Sequence, residues 1–182
     1  MAGLPNEQAT SSPLDPPRFE MALESAYLLS AINSLHSYEV SAEFITARMR
    51  WGVIGQDKWY SGFQQVYLTG EVQPIVRGIE NLYFGMNIGL RYNFVRGNSR
   101  FIPYFSGGLG LGWIDSNTNV PGGQGRDFTF NILSAAGVSY RLNDRWKVEA
   151  GILWEHWSNG GQTDPNPSLN MFGPQVGIFC SF

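Results

Sequence analysis

Hydrophobic and polar residues alternate along most of this chain, in short blocks separated by turn-forming residues. In the block over 81–95, Leu82, Phe84, Met86, Ile88, Leu90, Tyr92 and Phe94 share one parity, while Asn81, Gly85, Asn87, Arg91 and Asn93 share the other with Tyr83. A repeat of two is the side-chain period of a β-strand, so each block predicts a strand with one apolar and one polar face. Phe19, Met21, Leu23, Tyr27 and Leu29 likewise oppose Glu20 and Glu24. Trp146, Val148, Ala150, Ile152 and Trp154 oppose Lys147, Glu149 and Glu155. Eight such segments are expected, at about 18–31, 37–51, 61–76, 81–95, 100–115, 126–141, 145–158 and 169–182, after a flexible polar head over 1–17. Asn33-Ser34, Arg96-Gly97-Asn98-Ser99 and Leu142-Asn143-Asp144 supply short turns, and Asn117–Gly125 and Asn159–Ser168 supply longer loops.

An even number of antiparallel strands can close on itself, which leaves no unpaired edge for hydrocarbon to meet. The predicted fold is all-β, an eight-stranded antiparallel transmembrane β-barrel formed by 18–182. Composition agrees: charged residues are 15%, aromatics 14% and glycines number 22, against roughly 25% charged in an ordinary soluble domain. A soluble lipid-binding barrel would reverse the pattern, with its apolar face inward. Eight strands leave too little room for an open pore, so Glu20, Glu24, Arg91, Lys147 and Glu149 are expected to pack as a polar network inside. Val176, Ile178, Cys180 and Phe182 alternate to an aromatic last residue, as in the C-terminal signal of outer-membrane barrels. Residues Met1 to Pro17 lack the charged-then-apolar pattern of a secretory signal, so a leader is expected to have preceded them. With the N-terminus in the periplasm, the loops near 32–36, 77–80, 116–125 and 159–168 would be extracellular. The sequence itself leaves the oligomeric state open.

Charge and cysteine content narrow the chemistry. A net charge of −3 offers no basic footprint for nucleic acid. One cysteine, Cys180, permits no intrachain disulfide, and on the apolar face it reads as a small hydrophobe. Two histidines, His36 and His156, make no cluster with metal-ligand spacing, and no metal or organic cofactor is expected. His36 reads as a loop residue. Trp113, Trp154, Trp157 and Tyr104 read as membrane-interface aromatics.

His156 and Ser158 stand out. Positions i and i+2 of a strand point to the same side, so imidazole and hydroxyl can approach each other at the outer end of strand seven. Their parity is that of Ile152 and Trp154, facing lipid. A soluble hydrolase has no reason to place such a pair there, whereas an enzyme acting on a membrane lipid does. Counted back from Phe182, Asn170 lies on the same face of the neighbouring strand, completing a nucleophile, a base and an orienting group.

The run His156-Trp157-Ser158-Asn159-Gly160-Gly161, with Pro165-Asn166 and Asn170 after it, resembles the active-site segment of the lipid A 3-O-deacylase family. Those outer-membrane enzymes are eight-stranded barrels with a His-x-Ser-Asn motif. The resemblance implies Ser158 as nucleophile and His156 as general base. It also implies Asn159 and Asn166, beside Gly160, as residues that shape the loop and the oxyanion site. The implied substrate is lipid A of lipopolysaccharide, the implied location the outer membrane of a Gram-negative bacterium. Arg77 and Arg126 fall at outer strand ends where lipid A phosphates would lie, and Arg126 joins the candidate substrate-binding residues. One position departs from the family pattern: the best-known members carry Glu where this chain has Asn170. Asn can hold the histidine tautomer but cannot offset an imidazolium charge. Glu155 points the wrong way to replace it, and Asp164 would have to fold back from its loop. The alternative reading is a non-catalytic barrel with a structural or surface-binding role.

Overall fold

The computed structural model describes residues 16–30, 37–55 and 58–182. Each alternating block forms one strand: β1 (Phe19–Ser30), β2 (Glu39–Ile54), β3 (Gly62–Arg77), β4 (Leu82–Phe94), β5 (Phe101–Ile114), β6 (Phe128–Arg141), β7 (Trp146–Ser158) and β8 (Leu169–Ser181). Neighbours in sequence pair antiparallel, and β1 also pairs with β8, so the sheet closes as a barrel. Strand limits lie within about two residues of those read from the alternation, except that β2 runs on to Ile54. A register shift between Arg50 and Gly52 there turns the end of the strand, as an inserted residue does. The expected turn at Asn33-Ser34, residue His36 and the head over 1–15 lie outside the described residues.

The outward face is apolar throughout the middle of the wall. Leu23, Ile45, Leu68, Ile88, Leu90 and Leu109 are all exposed, the reverse of a soluble protein and the arrangement lipid requires. The inward face carries charge. Lys147 pairs with Glu20, Arg48 reaches Glu24 at 3.0 Å and Glu149 at 3.2 Å, and Arg91 grips both oxygens of Glu149 at 2.8 and 2.6 Å. Each of these groups is buried. Charges removed from water are tolerable only when paired and hydrogen-bonded in this way. The five expected members are present, and Arg48 joins them with its guanidinium 4.1 Å from the Phe179 ring centre. Between them lie small cavities of about 30 Å³, lined by Glu24, Arg48, Arg91 and Tyr104, and about 20 Å³, lined by Glu20 and Lys147.

Nearer the loop end the interior changes character. Leu28, Val40, Tyr83, Trp157, Leu169 and Met171 form an apolar cluster there. Tyr83 stacks on Trp157 with ring centres 4.2 Å apart. Gly112 makes this possible, since a β-carbon on it would stand 2.1 Å from the Tyr83 hydroxyl. Two expectations are corrected here. Trp157 is fully buried, and Tyr104 lies inside with the Arg91 guanidinium 3.5 Å from its ring centre. Both sit on the inward parity, which the strand period assigns to the lumen whatever the residue's liking for interfaces. Trp113 and Trp154 do face outward: Trp113 is exposed and Trp154 half-buried.

Candidate active site at the outer rim

The antiparallel register of β7 and β8 sets Asn170 directly opposite His156, while Trp157 and Leu169, the next pair, point inward. His156 Nδ1 lies 3.0 Å from Asn170 Oδ1. Which end of the amide faces the ring is decided one turn away, because Asn170 Nδ2 donates to the Ser168 carbonyl at 3.1 Å. The oxygen is therefore left for histidine, so Nδ1 carries the proton and Nε2 is the free base. Ser168 takes a left-handed backbone, φ 50°, to present that carbonyl. Sequence reading missed Ser168, since neither its type nor its spacing announces the conformation.

Ser158 ends β7 and is half-buried on the same outward parity as His156. Its hydroxyl bonds to the following loop rather than to His156. Asn166 Nδ2 donates to Ser158 Oγ at 3.1 Å, and Gly160 N–H donates at 3.0 Å. Asn166 Oδ1 meanwhile accepts from Asn159 N–H at 3.2 Å and from the Ser158 hydroxyl at 3.3 Å. Two donors aimed at Oγ favour an oxygen that is becoming negative, and its own hydrogen is held by Asn166 Oδ1 until a base takes it.

The loop is held in that shape by Asn159, which is fully buried. Its side-chain amide donates to Thr163 O at 2.7 Å and Pro165 O at 3.2 Å, and its oxygen accepts from Gly161 N–H at 2.9 Å. Gly160 and Gly161 have φ of 68° and 70°, a left-handed pair that any side chain would resist. A second loop braces the first: Gly125 N–H donates to Pro165 O at 2.7 Å. That bracing loop is itself pinned by Glu80, which accepts from Gln124 N–H at 2.7 Å and from the Tyr38 hydroxyl at 2.5 Å. Burial, with the Glu80 bond beside it, pushes the Tyr38 phenol well above its ordinary range, so it remains a donor. Glu80 is a site-supporting residue that the sequence did not signal, because its two partners, Tyr38 and Gln124, come from separate segments far from it in the chain.

The remaining candidates divide. Arg126 bonds to Gln162 on the flank of the loop and packs over Phe128, with 5.7 Å from guanidinium to ring centre. It contacts neither Ser158 nor His156. Arg77 is bound to Glu39 at 2.8 Å and is mostly exposed. Glu155 points into the lumen, as expected, where Trp157 Nε1 and Gln73 Nε2 donate to it at 2.5 and 2.9 Å. Asp164 stays exposed in its loop.

An apolar outer wall around a charged, filled lumen, closed by eight strands, defines a Gram-negative outer-membrane β-barrel. Within that class the family follows from the sequence model for lipid A 3-O-deacylase (PagL), which matches residues 37–179. The chain belongs to this family. In three dimensions it is similar to the crystal structure of the outer membrane enzyme PagL, with a TM-score of 0.61 at 14% identity, over 90% of this chain and 99% of that one. It is also similar to Neisserial surface protein A (NspA), with a TM-score of 0.66 at 16% identity, over 90% and 97%. Identities this low establish a shared barrel. No curated protein matches the chain in sequence.

Proposed function

We propose that this protein is a serine esterase of the outer membrane that hydrolyses the ester-linked acyl chain at position 3 of lipid A. The observation that carries the reading is the hydrogen bond from His156 Nδ1 to Asn170 Oδ1, made on the lipid-facing rim beside Ser158. His156 Nε2 takes the Ser158 proton as Oγ attacks the ester carbonyl. The carbonyl oxygen becomes an oxyanion, and the tetrahedral intermediate collapses to an acyl-serine as the sugar hydroxyl leaves with the proton. Water, activated by the same nitrogen, then frees the 3-hydroxy fatty acid and restores Ser158. Asn166 and the Gly160 N–H stabilise negative charge at this corner, while Asn159 holds the loop that presents them. Arg126, flanking the loop, is the side chain available to a lipid A phosphate. No metal or cofactor is needed.

The neutral Asn170 favours a second reading, a barrel that keeps the site's shape without its activity. Mass spectrometry of lipid A before and after incubation with the purified protein separates the two. Loss of one 3-hydroxyacyl mass supports the esterase, and unchanged lipid A supports the inactive barrel.

A further inference from the structure

The end of the barrel opposite the candidate site holds most of the molecule's cations. Of twelve lysines and arginines in the chain, Arg48, Arg91 and Lys147 are consumed inside, and Arg77 and Arg126 stand at the loop end. The other seven surround the end where β1 begins and β8 finishes. Each is beside an aromatic residue in sequence. Arg18–Phe19, Arg50–Trp51, Arg100–Phe101, Tyr140–Arg141 and Arg145–Trp146 are direct neighbours, Lys58 precedes Trp59 and Tyr60, and Arg96 follows Phe94 by two. Trp51, Trp59 and Phe101 are among the most exposed aromatics of the molecule, at 72%, 88% and 62%. The Arg18 guanidinium lies 5.7 Å from the Phe19 ring centre, and Lys58 Nζ lies 5.5 Å from that of Tyr60.

In the sequence, apart from Glu20, which pairs with Lys147 inside, the acidic residues within three positions of those seven are Asp15, Asp57 and Asp144. Among the described residues, Arg96, Arg100, Arg141 and Arg145 make no ion pair with a carboxylate. At the loop end the balance is reversed, with Glu39, Glu43, Asp115, Asp127 and Asp164 against two arginines. An aromatic ring sits well at the boundary between hydrocarbon and headgroups, and a cation one or two residues further out, as at Arg18, Arg96, Arg100, Arg141 and Arg145, then lies at phosphate level, whereas Arg50 precedes Trp51 on β2 and stands on its membrane side. Repeating that pair around the circumference builds a collar rather than a scattered solvated surface.

We propose that this collar binds the anionic phospholipid headgroups of the periplasmic leaflet, and so fixes the depth and polarity of the barrel in its membrane. The inference rests on the outer-membrane assignment and on this end facing the periplasm, but not on any catalytic activity. The test uses the full chain in detergent micelles containing equal phosphatidylglycerol and phosphatidylcholine, with retained lipids counted by native mass spectrometry. The wild type is expected to retain phosphatidylglycerol in preference by about ten-fold or more, falling steeply in high salt. Arg96→Gln/Arg100→Gln/Arg141→Gln/Arg145→Gln should remove most of that preference, while Arg77→Gln at the loop end should keep it. Should the four-fold variant fail to refold, Arg96→Gln/Arg100→Gln and Arg141→Gln/Arg145→Gln are compared separately, each expected to lose about three-fold. A collar variant as selective as the wild type overturns the proposal, as does loss of selectivity in the loop-end variant. Lipid A supplied in place of phosphatidylglycerol, and retained equally through the collar, would overturn the assignment to phospholipid.

Discussion

His156 and Asn170 face each other as a register pair of β7 and β8, ring nitrogen to amide oxygen at 3.0 Å, with the amide's other end held by Ser168. A neutral amide there fixes the tautomer of the base while leaving the imidazolium of the transition state without a countercharge. Replacing Asn170 by Glu keeps the bond and adds the charge. A charge-assisted bond is about twice as strong as a neutral one, so the rate should rise about ten-fold, or 1–2 kcal/mol. Asn170→Ala should fall below the wild type. Turnover of one lipid A preparation should therefore rank Glu, Asn, Ala, and equal rates for all three would place Asn170 outside the site.

Ser158→Ala and His156→Ala should each reduce deacylation by about three orders of magnitude or more, since nucleophile and base act as a unit. Both side chains stand on the rim and contribute little to the wall. Migration of the variants on unheated gels should match the wild type, which separates lost chemistry from lost fold. Undiminished turnover in either variant would remove the proposed mechanism.

Glu80 touches no part of the candidate triad, yet it pins the loop that braces Pro165. Glu80→Ala should let Asn166 drift from the Ser158 hydroxyl and lower kcat by about ten- to a hundred-fold, with little change in KM. Glu80→Gln retains an oxygen for the Gln124 N–H and should recover most of the rate. A KM effect alone would mean that Glu80 shapes lipid binding instead.

Glu149 is the common acceptor of Arg48 and Arg91 inside the barrel. Glu149→Ala strands two buried guanidinium groups, a loss of about 3–5 kcal/mol. The variant should need less heat or urea than the wild type to convert from the compact to the extended form on a gel. Unchanged resistance would show that solvent already reaches the lumen.

Most of the wall was legible because its cause is local. Alternation in β4 and β7 states both the strand and the face, and lipid enforces that alternation on every strand it touches. The same parity placed His156, Ser158 and Asn170 on one side. It also sets Trp157 and Tyr104 inside the barrel, whatever the liking of such residues for membrane interfaces. What the sequence withheld was set by backbone geometry and by contacts between distant loops. The Glu80 anchorage depends on segments far apart in the chain, while the left-handed backbone at Ser168 and the amide orientation it dictates are local conformations, and no periodicity encodes either.

The filled lumen has a consequence for how such a protein would meet its substrate. With paired charged side chains packed across the bore, the barrel should pass neither ions nor lipid and be electrically silent in a planar bilayer. All encounter then occurs sideways, in the plane of one leaflet. Catalysis there would follow the mole fraction of lipid A per unit area rather than its bulk molarity, so adding inert detergent at constant total lipid A should slow turnover by dilution in two dimensions.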